Sequence, residues 1–233
     1  MMKETIFFDL DGTLLKLDQT EFTNRYFYLL GQYMIPYGFE PEQLMKDVWK
    51  GTYAMVKNDG SMTNEARFWQ VFTGLTGRGN PEDQESFLEF YKTDFCIAKD
   101  VTAPVEGVKE LIAELKAKGY ELVLATNPLF PRIATLNRIG WADLSPTDFR
   151  MITTYEMMNT CKPNPEYYRE ICRKLDLDPS HCRMVGNDAV EDTAAEAAGI
   201  RTFLITDCLE NAPEGELSVP HGSWNELRNW LGL

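Results

Sequence analysis

Two carboxylates, Asp9 and Asp11, stand two residues apart in Asp9-Leu-Asp-Gly-Thr13, directly after the apolar run Thr5 to Phe8. Paired acids on a tightening loop can divide labour, one attacking an electrophile while the other handles the proton of the leaving group. Gly12 permits the turn, and Thr13 offers a hydroxyl and a backbone N–H to an anion. In isolation, a strand-ending acidic turn without chemistry would look the same. Ala125-Thr126-Asn127-Pro128 also follows an apolar run. Its Thr hydroxyl and the next backbone N–H can hold two oxygens of a tetrahedral anion, although Thr-Asn-Pro is also ordinary turn chemistry. Lys162, in Thr160-Cys-Lys-Pro-Asn-Pro165, can neutralise an anionic site or stand in solvent as most loop lysines do. Val185-Gly186-Asn187-Asp188, with Glu191 and Asp192, offers oxygen ligands to a hard cation such as Mg²⁺, or decorates a helix N-terminus with acids.

The elements that must position these residues are readable from periodicity. Short apolar runs at Thr5 to Phe8, Leu122 to Ala125, Met151 to Thr154, Arg183 to Val185 and Arg201 to Ile205 predict strands. Between them, Val105, Val108, Leu111, Ile112 and Leu115 repeat at helical spacing before Gly119, and Tyr168, Ile171, Cys172 and Leu175 do so after Asn164-Pro165. Residues 103–207 therefore alternate strand and helix, the pattern of an α/β fold with a Rossmann-like parallel sheet flanked by helices. Residues 18–98 read differently. Four helical stripes begin near Phe22, Glu42, Ala66 and Pro81, with no strand-like run between turns. The expected organisation is a catalytic core of residues 1–17 and 99–233, with an α-helical bundle cap of residues 18–98 inserted after the first strand. Trp224, Leu227 and Trp230 predict a short terminal helix on the sheet edge.

All four polar segments occur in order, each at the end of a predicted strand. Together they resemble the haloacid dehalogenase-like hydrolase superfamily, whose members carry D-x-D-G-T, then Ser or Thr, then Lys, then an acidic pair. The placement of the insert resembles the helical-cap subgroup that includes phosphoglycolate phosphatase-like enzymes. The resemblance implies that Asp9 is a nucleophile that becomes an aspartyl-phosphate and Asp11 the general acid and base. It implies that Thr126 and Asn127 bind the phosphoryl group, and that Lys162 steadies both nucleophile and phosphate. Mg²⁺ would sit between Asp9, the Asp11 carbonyl and Asp188, with Asn187 the second choice because relatives read Gly-Asp where this chain has Gly186-Asn187-Asp188. Asp192 would orient Lys162 or a metal-bound water.

The implied activity is Mg²⁺-dependent hydrolysis of a small phosphate ester. A phosphomutase would share every motif, and a noncatalytic relative would be expected to lose Asp9, Asp11 or Lys162, all of which are present. Asp11 argues against a haloacid dehalogenase, a branch that looks to lack an acid there, since phosphoryl transfer needs a proton donor for the leaving alkoxide. The cap supplies specificity, with Lys16, Arg25, Lys57 and Arg67 as candidates for a distal anion, and Phe22, Tyr26, Trp49 and Trp69 read as bundle core. His181 and His221 have no assigned role. The 233 residues carry 36 Asp and Glu against 23 Lys and Arg, a formal charge of −13 that disfavours nucleic acid and anionic lipid as partners. Five cysteines without a C-x-x-C pair, and no apolar leader or spanning run, point to a cytoplasmic protein.

Overall fold

A computed structural model describes residues 4–233; Met1 to Lys3, counted with the core above, lie outside the described residues. The chain opens on β1 (Thr5–Phe8), buried throughout. An unbroken apolar strand fits only where both sheet faces are covered. After the acidic loop, β2 (Leu15–Leu17) leads into four helices, each begun on a side chain that accepts from free N–H groups of the first turn. These caps are Asp18 for α1 (Gln19–Met34), Glu40 for α2 (Pro41–Val56), Thr63 for α3 (Asn64–Thr76) and Asn80 for α4 (Pro81–Lys92). A 3-10 stretch, Asp94–Val101, then brings the chain back to β3 (Thr102–Pro104), which pairs antiparallel with β2. That ribbon, too short for a periodic signal, flanks both ends of the helical segment.

The remaining elements are α5 (Val108–Ala117), β4 (Glu121–Leu124), α6 (Arg132–Trp141), β5 (Met151–Ile152), α7 (Pro165–Leu175), β6 (Cys182–Gly186), β7 (Arg201–Ile205), β8 (His221–Gly222) and α8 (Trp224–Leu231). The fold is α/β, with a six-stranded parallel sheet in the order β5-β4-β1-β6-β7-β8. Strand order reverses between β1 and β6, and in such sheets ligands bind outside the carboxyl ends at that point. The register makes the geometry concrete. Phe8 lies level with both Leu124 and Val185, so the loops carrying Asp9, Thr126 and Asn187 leave the sheet side by side. The β5 strand is shorter than its sequence suggests, and the connection from β6 to β7 holds the 3-10 turn Thr193–Ala198 in place of an α-helix. The acids Glu191 and Asp192 are therefore not decoration on an α-helix terminus.

The helical segment is docked onto this edge. The first N–H groups of α3, on Asn64 and Glu65, donate to the carbonyls of Met158 (2.8 Å) and Tyr155 (2.9 Å). The fully buried Asn64 side chain also donates to Thr160 O at 3.2 Å, fastening α3 to the loop that carries Lys162. Among the described residues no helix is long and apolar enough to cross a membrane.

Candidate active site

At the carboxyl edge, a cavity of about 230 Å³ is lined by Asp9, Asp11, Thr126, Asn127 and Asp188, among others. Its floor is a buried charge chain. Lys162 Nζ donates to Asp9 Oδ1 at 2.8 Å and to Asp192 Oδ1 at 2.7 Å, and the lysine is 1% exposed. Burial by itself would lower the Lys162 ammonium, but Asp192 and Asp9 more than reverse this and hold it charged. Asp192 is held in turn by the backbone N–H groups of Asn187 and Asp188, both donating to Oδ2 at 2.9 Å. A Cβ at Gly186 would stand 1.9 Å from that oxygen, so only glycine lets the strand end approach so closely.

Asn187 is spent on structure. Its Oδ1 accepts from the Thr13 hydroxyl at 2.9 Å and its Nδ2 donates to Cys208 O at 2.7 Å. It also packs against Gly12, whose φ of +80° and 2.2 Å clearance to Asn187 Nδ2 exclude a side chain there. Thr13 is buried, its hydroxyl donating to Asn187. Asp188 lines the cavity, its Oδ1 accepting from the N–H groups of Val190 (2.7 Å) and Glu191 (2.9 Å) and its Oδ2 from Asn211 Nδ2 (2.7 Å). Between the two candidates, Asp188 carries the accessible carboxylate.

Asn127 bridges two strand ends, its Oδ1 accepting from the Lys162 backbone N–H at 3.2 Å and its Nδ2 donating to Glu191 Oε1 at 2.9 Å. Burial pushes the Glu191 carboxyl up to about 7, Lys162 opposing and Asp192 reinforcing the rise. Thr126 is fixed through its carbonyl, which accepts from Thr153 Oγ1 (2.7 Å) and Tyr167 Oη (2.8 Å). Burial raises the Asp9 carboxyl against the pull of Lys162, and raises that of Asp11 against Arg138 and Lys162.

The profile of haloacid dehalogenase-like hydrolases matches residues 3–199. The chain belongs to that family. Membership makes it a hydrolase, and its relatives support phosphatase activity. An N-acetylmuramic acid 6-phosphate phosphatase of Pseudomonas aeruginosa is 28% identical, over 88% of this chain and 82% of its own. A plasmid-borne phosphoglycolate phosphatase of Cupriavidus necator is also 28% identical, over 86% and 79%. A HAD phosphatase from Thermococcus onnurineus has the same fold, with a TM-score of 0.60 at 18% identity and 99% and 98% of the two chains covered.

In this member of the family Asp11 has a partner that the sequence does not signal. Arg138, 1% exposed on α6, donates from Nη1 to Asp11 Oδ2 and lies over the Phe130 ring at 4.5 Å. An arginine near the end of a helix reads as an ordinary basic last turn; only packing turns it inward. Asp11 Oδ1 is buried and has no hydrogen-bond partner among the described residues.

The basic residues expected to meet a distal anion are not brought together. Arg25 is paired with Asp100, and Arg67 with Asp59 at 3.0 Å and Asn58 Oδ1 at 3.2 Å. Lys57 stands over the Tyr53 ring, and Lys16 is exposed on β2. None of the four lines the catalytic cavity or the larger one above it. The aromatics behave differently: Phe22 and Tyr26 are buried in the core and Trp69 packs against it, as read from the sequence, whereas Trp49 is exposed, and all four also line that larger cavity. Helical spacing cannot distinguish a residue facing a filled core from one facing a hollow one.

For a metal, the donor set is hard oxygen. Asp9, Asp11, Asp188, Glu191, Asp192 and Glu210 all line the cavity, against the buried cations Lys162 and Arg138. That excess of carboxylate suits a dication. Among the described residues no three His, Cys, Asp or Glu side chains converge as a preformed metal cluster. Mg²⁺ is nonetheless compatible, because it takes one or two carboxylates and fills its shell with water and substrate oxygens.

Proposed function

We propose that the protein is a Mg²⁺-dependent phosphatase that hydrolyses a small phosphate monoester through an aspartyl-phosphate on Asp9. The observation that carries this is Asp9 at the cavity wall, its Oδ1 fixed by Lys162 at 2.8 Å, with the buried and unpartnered Asp11 Oδ1 on the same wall. In the first step a carboxylate oxygen of Asp9 attacks phosphorus and the ester P–O bond breaks. Asp11 gives its proton to the departing alkoxide. In the second, water attacks phosphorus, Asp11 takes the water's proton, and the acyl–phosphate bond breaks to return the Asp9 carboxylate and release phosphate.

A carboxylate approaching a phosphate oxyanion is repelled by about 4 kcal/mol per charge pair at 4 Å and an effective dielectric of 20. Lys162 offsets part of this, and the Thr126 hydroxyl and the loop at Asn127 hold the transferring oxygens. Mg²⁺, held by the carboxylates of Asp9 and Asp188 and the carbonyl of Asp11, would supply the rest of the positive charge. Asp192 orients Lys162. Residues 18–98 act as the cap, with α3 fastened over the site so that water enters only as the second-step nucleophile. A mutase would have to hold a second phosphate, and among the described residues no Lys, Arg or His lines the cavity above the site. The cysteines Cys96, Cys161, Cys172, Cys182 and Cys208 are free, which supports a cytoplasmic location.

The test is p-nitrophenyl phosphate turnover. Wild type should release p-nitrophenol with Mg²⁺ and stop with EDTA, and Asp9→Asn should fall to background. Release by Asp9→Asn equal to wild type would overturn the assignment.

A further inference from the structure

Above the catalytic cavity lies a larger one of about 380 Å³, and the two share Gln19, Leu129 and Phe130 as wall. With phosphate held below, the leaving group of the ester must project into this space, so its wall chemistry selects the substrate. The wall is aromatic. Phe22, Tyr26, Phe68, Trp69 and Tyr91 come from the cap and Tyr155 from the core. Its charged members are all acidic: Glu65, Glu85 and Glu156.

Glu85 is paired with Lys92 at 3.4 Å, but among the described residues no Lys, Arg or His side chain pairs with Glu65 or Glu156. Glu156 accepts from the Arg132 backbone N–H at 2.7 Å through Oε1, while its Oε2 is buried without a partner. Glu65 stands near enough to Glu156 that, after burial, that neighbour is the next cause raising its carboxyl. The docking of α3 on Tyr155 brings the two together, since Glu65 N–H donates to the carbonyl beside Glu156.

Aromatic faces and carboxylates attract cations and repel anions. Resting on the phosphatase reading, we propose that the substrate is a phosphate monoester whose leaving group has a mainly apolar body and an ammonium nitrogen, and no second anion. The cavity volume falls within the range of small-molecule sites and accommodates a body the size of a substituted benzene ring. The reading also accords with the −13 net charge, because a cationic substituent offsets part of the repulsion felt by the phosphate.

Three benzyl phosphates differing only at the para position test this: aminomethyl, methyl and carboxylate. Their leaving alcohols are alike, so differences in kcat/KM report the distal cavity. The aminomethyl ester should exceed the methyl ester at least tenfold, and the methyl ester the carboxylate by a similar factor. Glu65→Gln combined with Glu156→Gln should reduce the aminomethyl-to-methyl ratio about tenfold. If the double variant does not fold, the wild-type ranking decides alone. A carboxylate or methyl ester that matches or exceeds the aminomethyl ester would overturn the proposal while p-nitrophenyl phosphate turnover keeps the phosphatase reading. No release from these esters or from p-nitrophenyl phosphate would overturn both.

Discussion

Asp192→Asn removes one charge from the buried chain beneath the site, and its consequence follows from donor counting. The carboxylate is 1% exposed and every partner it has is a donor: Lys162 Nζ at 2.7 Å on Oδ1, and the N–H groups of Asn187 and Asp188 at 2.9 Å on Oδ2. Asparagine offers one acceptor and one donor group. Whichever way the amide turns, its NH₂ faces either the ammonium or two backbone N–H groups. A buried donor left unsatisfied costs about 1–3 kcal/mol, and breaking one side of a buried ion pair about 3–5 kcal/mol. The two overlap, so the expected loss is about 3–5 kcal/mol, a fall in Tm of roughly 6–20 °C for a chain of this size. With Lys162 no longer held on both sides, kcat should drop by about 10²–10³, as when one stabilising donor is lost from an active site. Thermal unfolding and p-nitrophenyl phosphate turnover measure the two effects. Gly186→Ala reaches the same carboxylate without changing charge, since its Cβ would stand 1.9 Å from Oδ2, and should move both readouts in the same direction. An Asp192→Asn protein with wild-type Tm and wild-type kcat would refute the argument.

Arg138→Met deprives Asp11 of its buried partner; kcat should fall by about tenfold or more together with Tm, and an unchanged kcat would show that the pair does not position the acid. Asn64→Ala removes the side-chain tie between α3 and the loop at Thr160 while the backbone bonds to Tyr155 and Met158 stay, so Tm should fall by a few degrees and KM rise, readable in the same two assays. At the start of α4, burial raises the Asp83 carboxyl, but Arg78 and the Gly79 N–H more than reverse this and leave it below its ordinary value. Its contribution to stability is therefore complete above about pH 4 and lost as pH falls through the depressed folded value. Asp83→Asn should destabilise at pH 7, and its stability should decline less steeply than that of wild type below pH 4 in denaturant titrations.

Much of the scaffold was legible because its signals are local. The β1 run, the four helical stripes between residues 18 and 98, Asn80-Pro81 opening α4 and Asn164-Pro165 opening α7 all depend on residues within one or two turns. The order of the four polar segments was equally plain, and the level ends of β1, β4 and β6 explain why segments distant in sequence share one cavity. The ribbon of β2 and β3 was invisible, as three-residue strands have no period to detect.

By itself the sequence determined the α/β architecture, the helical insert and the set of residues at the strand ends, since short-range periodicity and spacing carry that information. Tertiary structure alone decided what those residues face. Asp11 meets Arg138 across 127 positions, and Asn187 accepts from the Thr13 hydroxyl across 174. Arg25 and Arg67 turn to Asp100 and Asp59, while aromatic residues of the helical segment, packed in the core, also wall a cavity. Charge pairing and cavity walls depend on which faces meet after folding, and side-chain identity along the chain leaves that open.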